Sequence, residues 1–158
     1  MTTEEKTFFM RAALKEAKKA FAEGEIPVGA VVVKDGKIIS RGRNARERTQ
    51  NALHHAEVLA IDKACKKLKS WRLDDCELFV TVEPCVMCAG AIVNARIKKV
   101  YFGAEELKDG AAKSAFRVFE SGTLNSKVDC EGGLLAAECA AIMVDFFRSR
   151  RKNLPKNN

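Results

Sequence analysis

The sequence predicts an α/β fold, with helices covering both faces of a mixed sheet of about five strands. Three observations predict it. Apolar periodicity alternates between helical and extended segments in the order α-β-β-α-β-α-β-(α)-β-α. The stretch Ile26 to Lys34 is apolar on both faces, as a strand buried inside a helix-covered sheet must be. Asp35-Gly36 is a two-residue turn that folds the chain back antiparallel.

The elements follow in order. Thr2-Thr3-Glu4-Glu5 reads as a capping box, with Thr2 as N-cap and Glu5 reaching back to it. The helix it opens turns Phe9, Ala13, Ala17, Ala20 and Phe21 inward and stops near Gly24. After the hairpin, Lys37 to Asn44 forms the second strand. Asn51 is the expected N-cap of a second helix carrying Val58, Leu59, Ile61 and Leu68. Glu77 to Val82 is a third strand. Pro84 suits the first turn of a third helix, where its missing N–H would have no partner. Ile97 to Gly103 is a fourth strand and Lys127 to Asp129 a short fifth. The last helix runs from about Leu134 to Arg150, with Leu135, Ile142, Met143 and Phe146 inward.

Composition bounds the function. The 158 residues suit one domain, expected over residues 1–151 with a basic tail at 152–158. At 47% hydrophobic residues, a packed core is expected rather than disorder. The longest apolar run, Val28 to Val33, is far shorter than the ~18–20 residues that span a bilayer, so no membrane is expected. The N-terminus has no signal-peptide layout, which leads us to expect a cytoplasmic protein. A net charge of +7 permits an anionic partner without naming one. The six cysteines are not expected to form a secreted disulfide framework.

Two fragments carry the chemistry: His55-Ala56-Glu57 and Glu83-Pro84-Cys85-Val86-Met87-Cys88. Cys85 and Cys88, at i and i+3, share one helical face. With His55 they offer three ligands to a zinc ion, Zn2+, and leave the fourth tetrahedral position for water, which marks a catalytic site. Zinc is favoured over iron by ligand softness. Glu57 is the expected proton shuttle, since two thiolates weaken the metal as a Lewis acid and a nearby carboxylate compensates. Both helix N-termini are expected to direct partial positive charge at the site. Either fragment alone is a weak signal. Together they form the H-x-E and P-C-x-x-C signature of zinc base deamination. A closed structural site would need a fourth ligand from His54, Cys65, Cys76, Cys130 or Cys139, none at zinc-motif spacing; these lone cysteines read as small buried hydrophobes. His54 rivals His55, but only His55 has the H-x-E spacing.

Ile26-Pro-Val-Gly-Ala30, Thr81 to Ala91 and Phe146-Phe-Arg-Ser-Arg-Arg151 resemble the bacterial tRNA adenosine deaminase family (TadA) over nearly the whole chain. The resemblance implies a cytidine-deaminase-like three-layer α/β/α sandwich and a homodimer with one zinc per subunit. It also implies hydrolysis of adenosine to inosine at the wobble position of a tRNA anticodon stem-loop, tRNA-Arg with ACG being the expected substrate. In that reading Glu57 moves a proton from water to the base and then to the leaving amine. Asn44 and the Ala56 N–H bind the base. Glu106, where the family tends to carry Asp, lies near the preceding nucleotide, and Leu53-His54 also departs from the family pattern.

After Asp145 come Arg148, Arg150, Arg151, Lys152 and Lys156, with no acidic side chain. Beside Phe147 they suit phosphate contact and base stacking, with Phe147, Arg148 and Arg150 as the expected RNA-binding residues. A solvated helix end complementing the dipole is the plain alternative. Two other functions fit the same fragments. A free nucleobase or nucleoside deaminase of guanine or cytosine type would share the zinc site but not need the basic tail. A zinc-containing RNA-binding module would not need Glu57.

Overall fold

The computed structural model describes residues 1–122, 124 and 126–152. A five-stranded mixed sheet runs in the order β2-β1-β3-β4-β5. Helix α1 (Thr3–Ala22) precedes β1 (Gly29–Lys34) and β2 (Lys37–Arg43); α2 (Arg46–Thr49) and α3 (Ala56–Leu68) precede β3 (Cys76–Val82). Then come α4 (Val86–Asn94), β4 (Lys99–Ala104), a single 3-10 turn (Val118–Glu120), β5 (Asp129–Glu131) and α5 (Ala136–Lys152). β1 pairs antiparallel with β2 and β3, whereas β3, β4 and β5 are parallel.

Strand periodicity sorts the core into two layers. Val32, Leu78, Val80, Val100 and Phe102 face Ala60, Ala64 and Ile92 of α3 and α4. Their neighbours Val31, Val33, Phe79 and Tyr101 face Phe9, Met10, Ala13 and Leu14 of α1 and Cys139 of α5. Phe79 is fully buried and stacks on Tyr101 with centroids 4.5 Å apart. Burying such a side chain contributes ~1.5–3 kcal/mol. The expected α/β/α sandwich is therefore present. Among the described residues, no helix is long and apolar enough to cross a membrane.

The Thr2 capping box forms as expected, and Gly24 takes a left-handed φ of 78° just past α1. Several boundaries differ from expectation. β1 begins at Gly29, because the Val28 N–H turns back to the Ile26 carbonyl at 2.8 Å instead of entering the ladder. β4 begins at Lys99, after Arg96 at a φ of 64°. Asn51 caps no helix. Its Oδ1 accepts from the Leu53 N–H at 2.9 Å, a local turn, and α3 starts four residues beyond the expected place, with His55 as N-cap. The side chains α3 buries best are Ala56, Glu57, Ala60 and Ala64; Val58, Leu59, Ile61 and Leu68 are only half-buried.

The short helix α2 was not anticipated. Its orphan N–H groups, on Glu47 and Arg48, donate to the buried Glu25 carboxylate at 3.2 and 2.9 Å. Pro84 lies outside α4, one residue before the N-cap Cys85, whose ψ of 176° is extended. β5 lies two residues later than expected, where its pairing with Lys99 to Tyr101 places it. Of the lone cysteines, Cys76 and Cys139 are buried, whereas Cys65 and Cys130 are half-buried. The basic tail beyond Lys152 lies outside the described residues.

Candidate metal centre and base pocket

Two helix N-termini converge at one end of the sheet. His55 is the N-cap of α3, Cys85 the N-cap of α4, and Cys88 lies in the first turn of α4. None of the three side chains caps its own helix, so all are free to face one another. His55 Nδ1 stands 3.6 Å from Cys85 Sγ and 3.5 Å from Cys88 Sγ. All three donor atoms lie within 4.8 Å of one another. Zinc bonds of ~2.3 Å to sulfur and ~2.0–2.1 Å to nitrogen, on tetrahedral corners, require N-to-S separations of roughly 3.5–3.6 Å. The donors thus fit a tetrahedral metal with one corner left over.

The electrostatics agree with a shared charge. The Cys88 thiol, and then His55, hold Cys85 down to about 4 against its burial. Cys88 is pushed the other way by its hydrogen bond to Cys85 and by burial. The Cys85 contact raises His55 against desolvation. Burial drives Glu57, in the first turn of α3, up to about 7, with the nearby Cys85 charge adding to it. A carboxyl poised near neutrality can both accept and donate a proton.

A cavity of about 290 Å³ opens over these groups. It lies at the low end of the ~300–1,000 Å³ range of small-molecule pockets, room for one base rather than a strand. Asn44, His55, Ala56, Glu57, Glu106 and Phe147 all line it, together with Cys85. Asn44 is buried, with its Nδ2 donating to the Ile26 carbonyl at 3.4 Å and its Oδ1 accepting from the Arg46 N–H at 3.3 Å. His54 faces away, its Nδ1 2.7 Å from Thr49 Oγ1.

Arg148 and Arg150 do not line this cavity. Arg148 is exposed, 3.9 Å from Asp145. Arg150 donates to the Gly24 carbonyl and lies over the Phe146 ring, 5.1 Å from its centroid. The sequence reading missed Arg46, Asp109 and Met143 on the cavity wall. Glu83, which the sequence placed in the cysteine fragment without a role of its own, also lines the cavity, and its buried carboxylate accepts backbone N–H groups from the loop after β4. Burial raises the Glu83 carboxyl, but the donors from Lys113, Ser114 and Glu106 outweigh it and hold the group below the usual carboxylate range.

Residues 4–151 match the profile of the MafB19-like deaminase family. A tRNA-specific adenosine deaminase of Streptococcus pyogenes serotype M18 is 53% identical over 149 residues, covering 94% of each chain. One of Bacillus subtilis is 45% identical over 152 residues, covering 96% of this chain and 93% of its own. A solved structure from work on A-to-I editing by tRNA:A34 deaminases at the wobble position of transfer RNA superposes with a TM-score of 0.84. It is 43% identical and covers 86% of this chain and 99% of its own.

Proposed function

The chain belongs to the tRNA-specific adenosine deaminases, among the MafB19-like deaminases, and from that premise we propose that it deaminates adenosine to inosine at the wobble position of a tRNA anticodon. The observation that carries the reading is the three-donor cluster with a spare coordination corner, next to a buried carboxyl at about 7. A purely structural metal site has no use for either feature.

His55 Nδ1 and the Cys85 and Cys88 thiolates would hold the metal, for which zinc fits best. Bound there, zinc would supply the Lewis acidity that brings the pKa of water down toward ~7. Glu57 takes a proton from the attacking water on a carboxylate oxygen and delivers it to N1 of the adenine. Once the water oxygen has added at C6, Glu57 takes the remaining proton from the new C6 hydroxyl and gives it to the amine; the C6–N bond breaks, C6=O forms, and the amine leaves as ammonia. The Asn44 amide and the Ala56 N–H orient the base over these groups. The walls around Asn44, Met143 and Phe147 keep bulk water away from it.

Glu106, at the rim, faces the nucleotide preceding the target. Phe147 offers a ring for a loop base to stack on, 42% exposed. Arg148 meets phosphate, and Arg150 holds α5 in place for both. Residues 1–151 act as one catalytic domain, and the 152–158 tail adds positive charge. The enzyme works in the cytoplasm as a homodimer.

The test is inosine and ammonia release from a tRNA-Arg ACG anticodon stem-loop, compared with free adenosine, cytidine, cytosine and guanine. Inosine at the wobble base alone is expected. Ammonia from a free base only would retain the site chemistry and replace the substrate.

A further inference from the structure

Glu83 is a carboxylate only 3% exposed, and no described cation pairs with it. Its hydrogen-bond donors come from one segment. Oε1 accepts from the Glu106 N–H at 3.2 Å and from the Ser114 hydroxyl. Oε2 accepts from the N–H groups of Ala112, Lys113 and Ser114 at 3.1, 2.8 and 2.9 Å. The next residue joins the same grip, since the Pro84 carbonyl accepts from the Ala111 N–H at 2.8 Å. The loop closes so tightly that a Cβ on Gly110 would stand 2.5 Å from the Glu83 carboxyl carbon.

The arrangement is a nest of backbone N–H groups around an internal anion. Hydrogen bonds to an ionised acceptor are about twice as strong as neutral ones, and a buried charge without them would be untenable. Glu83 is therefore the keystone of the 106–114 loop, and that loop brings Glu106 and Asp109 to the wall of the base cavity. Two residues further along the chain, Cys85 enters the metal cluster.

We propose that Glu83 is a positioning residue: its carboxylate fixes the 106–114 loop at the mouth of the cavity, and so governs how tightly the nucleotide flanking the target adenosine is held rather than how fast the base is deaminated. This rests on the tRNA reading above. Loss of binding common to ground and transition states raises KM and leaves kcat alone.

The test compares wild type with Glu83→Gln and with Ser114→Ala, which removes one donor and spares the rest should the first variant fold poorly. Hydrogen exchange at the amides of Ala112, Lys113 and Ser114, metal content, and kcat and KM on the ACG stem-loop are measured. Glu83→Gln is expected to speed exchange at those amides and raise KM about tenfold or more, with kcat within about threefold and metal content unchanged. Ser114→Ala should move exchange and KM the same way by less, and Glu83→Asp should recover part of the loss. Unchanged exchange and KM would overturn the proposal. So would a fall in kcat and metal content at constant KM, which would place Glu83's influence on the donors. If wild type itself fails on the stem-loop, the tRNA reading falls, and amide exchange alone decides whether Glu83 holds the loop.

Discussion

Gly42 lies against Ala56 so closely that a Cβ on the glycine would stand 2.3 Å from the Ala56 carbonyl oxygen and 2.7 Å from the Ala60 N–H nitrogen. The start of α3, which carries His55 and Glu57, is thus seated directly on the backbone of β2. Ser40 reinforces the seat, its hydroxyl donating to the Ala60 carbonyl at 2.7 Å. The two nearest atoms a new methyl would meet are backbone, so neither can swing aside. Gly42→Ala should shift α3, destabilise the fold by ~1–3 kcal/mol as overpacking does, and lower metal affinity and activity together. Denaturant unfolding and metal titration check this; wild-type metal affinity in the variant would contradict it.

Glu57→Gln should separate chemistry from structure. The side chain is 4% exposed and donates no metal ligand in the cluster, so an isosteric amide keeps the shape and the three donors. The loss of proton transfer is expected to slow deamination by ~10²–10⁴-fold. Metal content by elemental analysis should remain at the wild-type level. Retained turnover would remove Glu57 from the mechanism.

Cysteine reactivity should divide sharply. Burial pushes Cys139 up to about 12 and Cys130 up to about 11, and raises Cys76 as well. Since only the thiolate reacts, these three should resist iodoacetamide at pH 8 in the folded protein. Cys85 is half-buried and held down to about 4 without metal, so chelation should make it the first residue alkylated, and metal should protect it. Peptide mapping by mass decides; early labelling of Cys139 in the metal-loaded protein would argue against this division.

The parts of the molecule readable in the sequence are those whose signal is local. Asp35-Gly36 forecasts its hairpin, the Thr2–Glu5 box its helix start, and the two short motifs meet because each opens a helix at the same sheet end. What escaped depends on distant partners. Nothing local marks Glu25 or Glu83 as a buried carboxylate, yet each is buried and accepts from N–H groups 22 or more residues away. Asn51 carried the composition of an N-cap, but its side chain found the Leu53 N–H first, leaving His55 at the cap and facing the cysteines. Arg150 was grouped with Arg148 by charge, by the nearby Phe147 and by the resemblance of the Phe146–Arg151 segment, and nothing in that segment foretells the Gly24 carbonyl.

That difference between the two arginines is testable. Arg150→Ala removes a hydrogen bond from α5 to the Gly24 carbonyl just past α1, and a ring contact with Phe146 within α5, and should lower stability by ~1 kcal/mol. Among the described residues, Arg148→Ala touches only an exposed pair with Asp145, and should leave stability unchanged within ~0.5 kcal/mol. On RNA the order reverses. Arg148→Ala is expected to weaken stem-loop binding and reduce its salt dependence by about one phosphate contact. Equal salt slopes for Arg148→Ala and wild type would take Arg148 out of the interface.

The last expectation concerns pH. Glu23, at the end of α1, bridges Arg43 of β2, 2.7 Å away, and Arg48 of α2, 2.9 Å away. Arg43 leads directly into Asn44, so this bridge braces the base-binding wall. The hydrogen bond from Arg43 outweighs burial and holds the Glu23 carboxyl below its ordinary value. A carboxyl lowered by folding stabilises the protein fully above its unfolded pKa of ~4.3, and the contribution fades as pH falls through the lower folded value. Glu23→Gln should therefore be less stable than wild type at pH 7, by up to ~1 kcal/mol for a partly exposed network. The gap between the two proteins should narrow as the pH falls below the unfolded value and through the lower folded one. Denaturant unfolding of both at pH 7, 5 and 3.5 reads the difference directly. A gap that widens in acid would mean that the Arg43 bridge does not stabilise the native state.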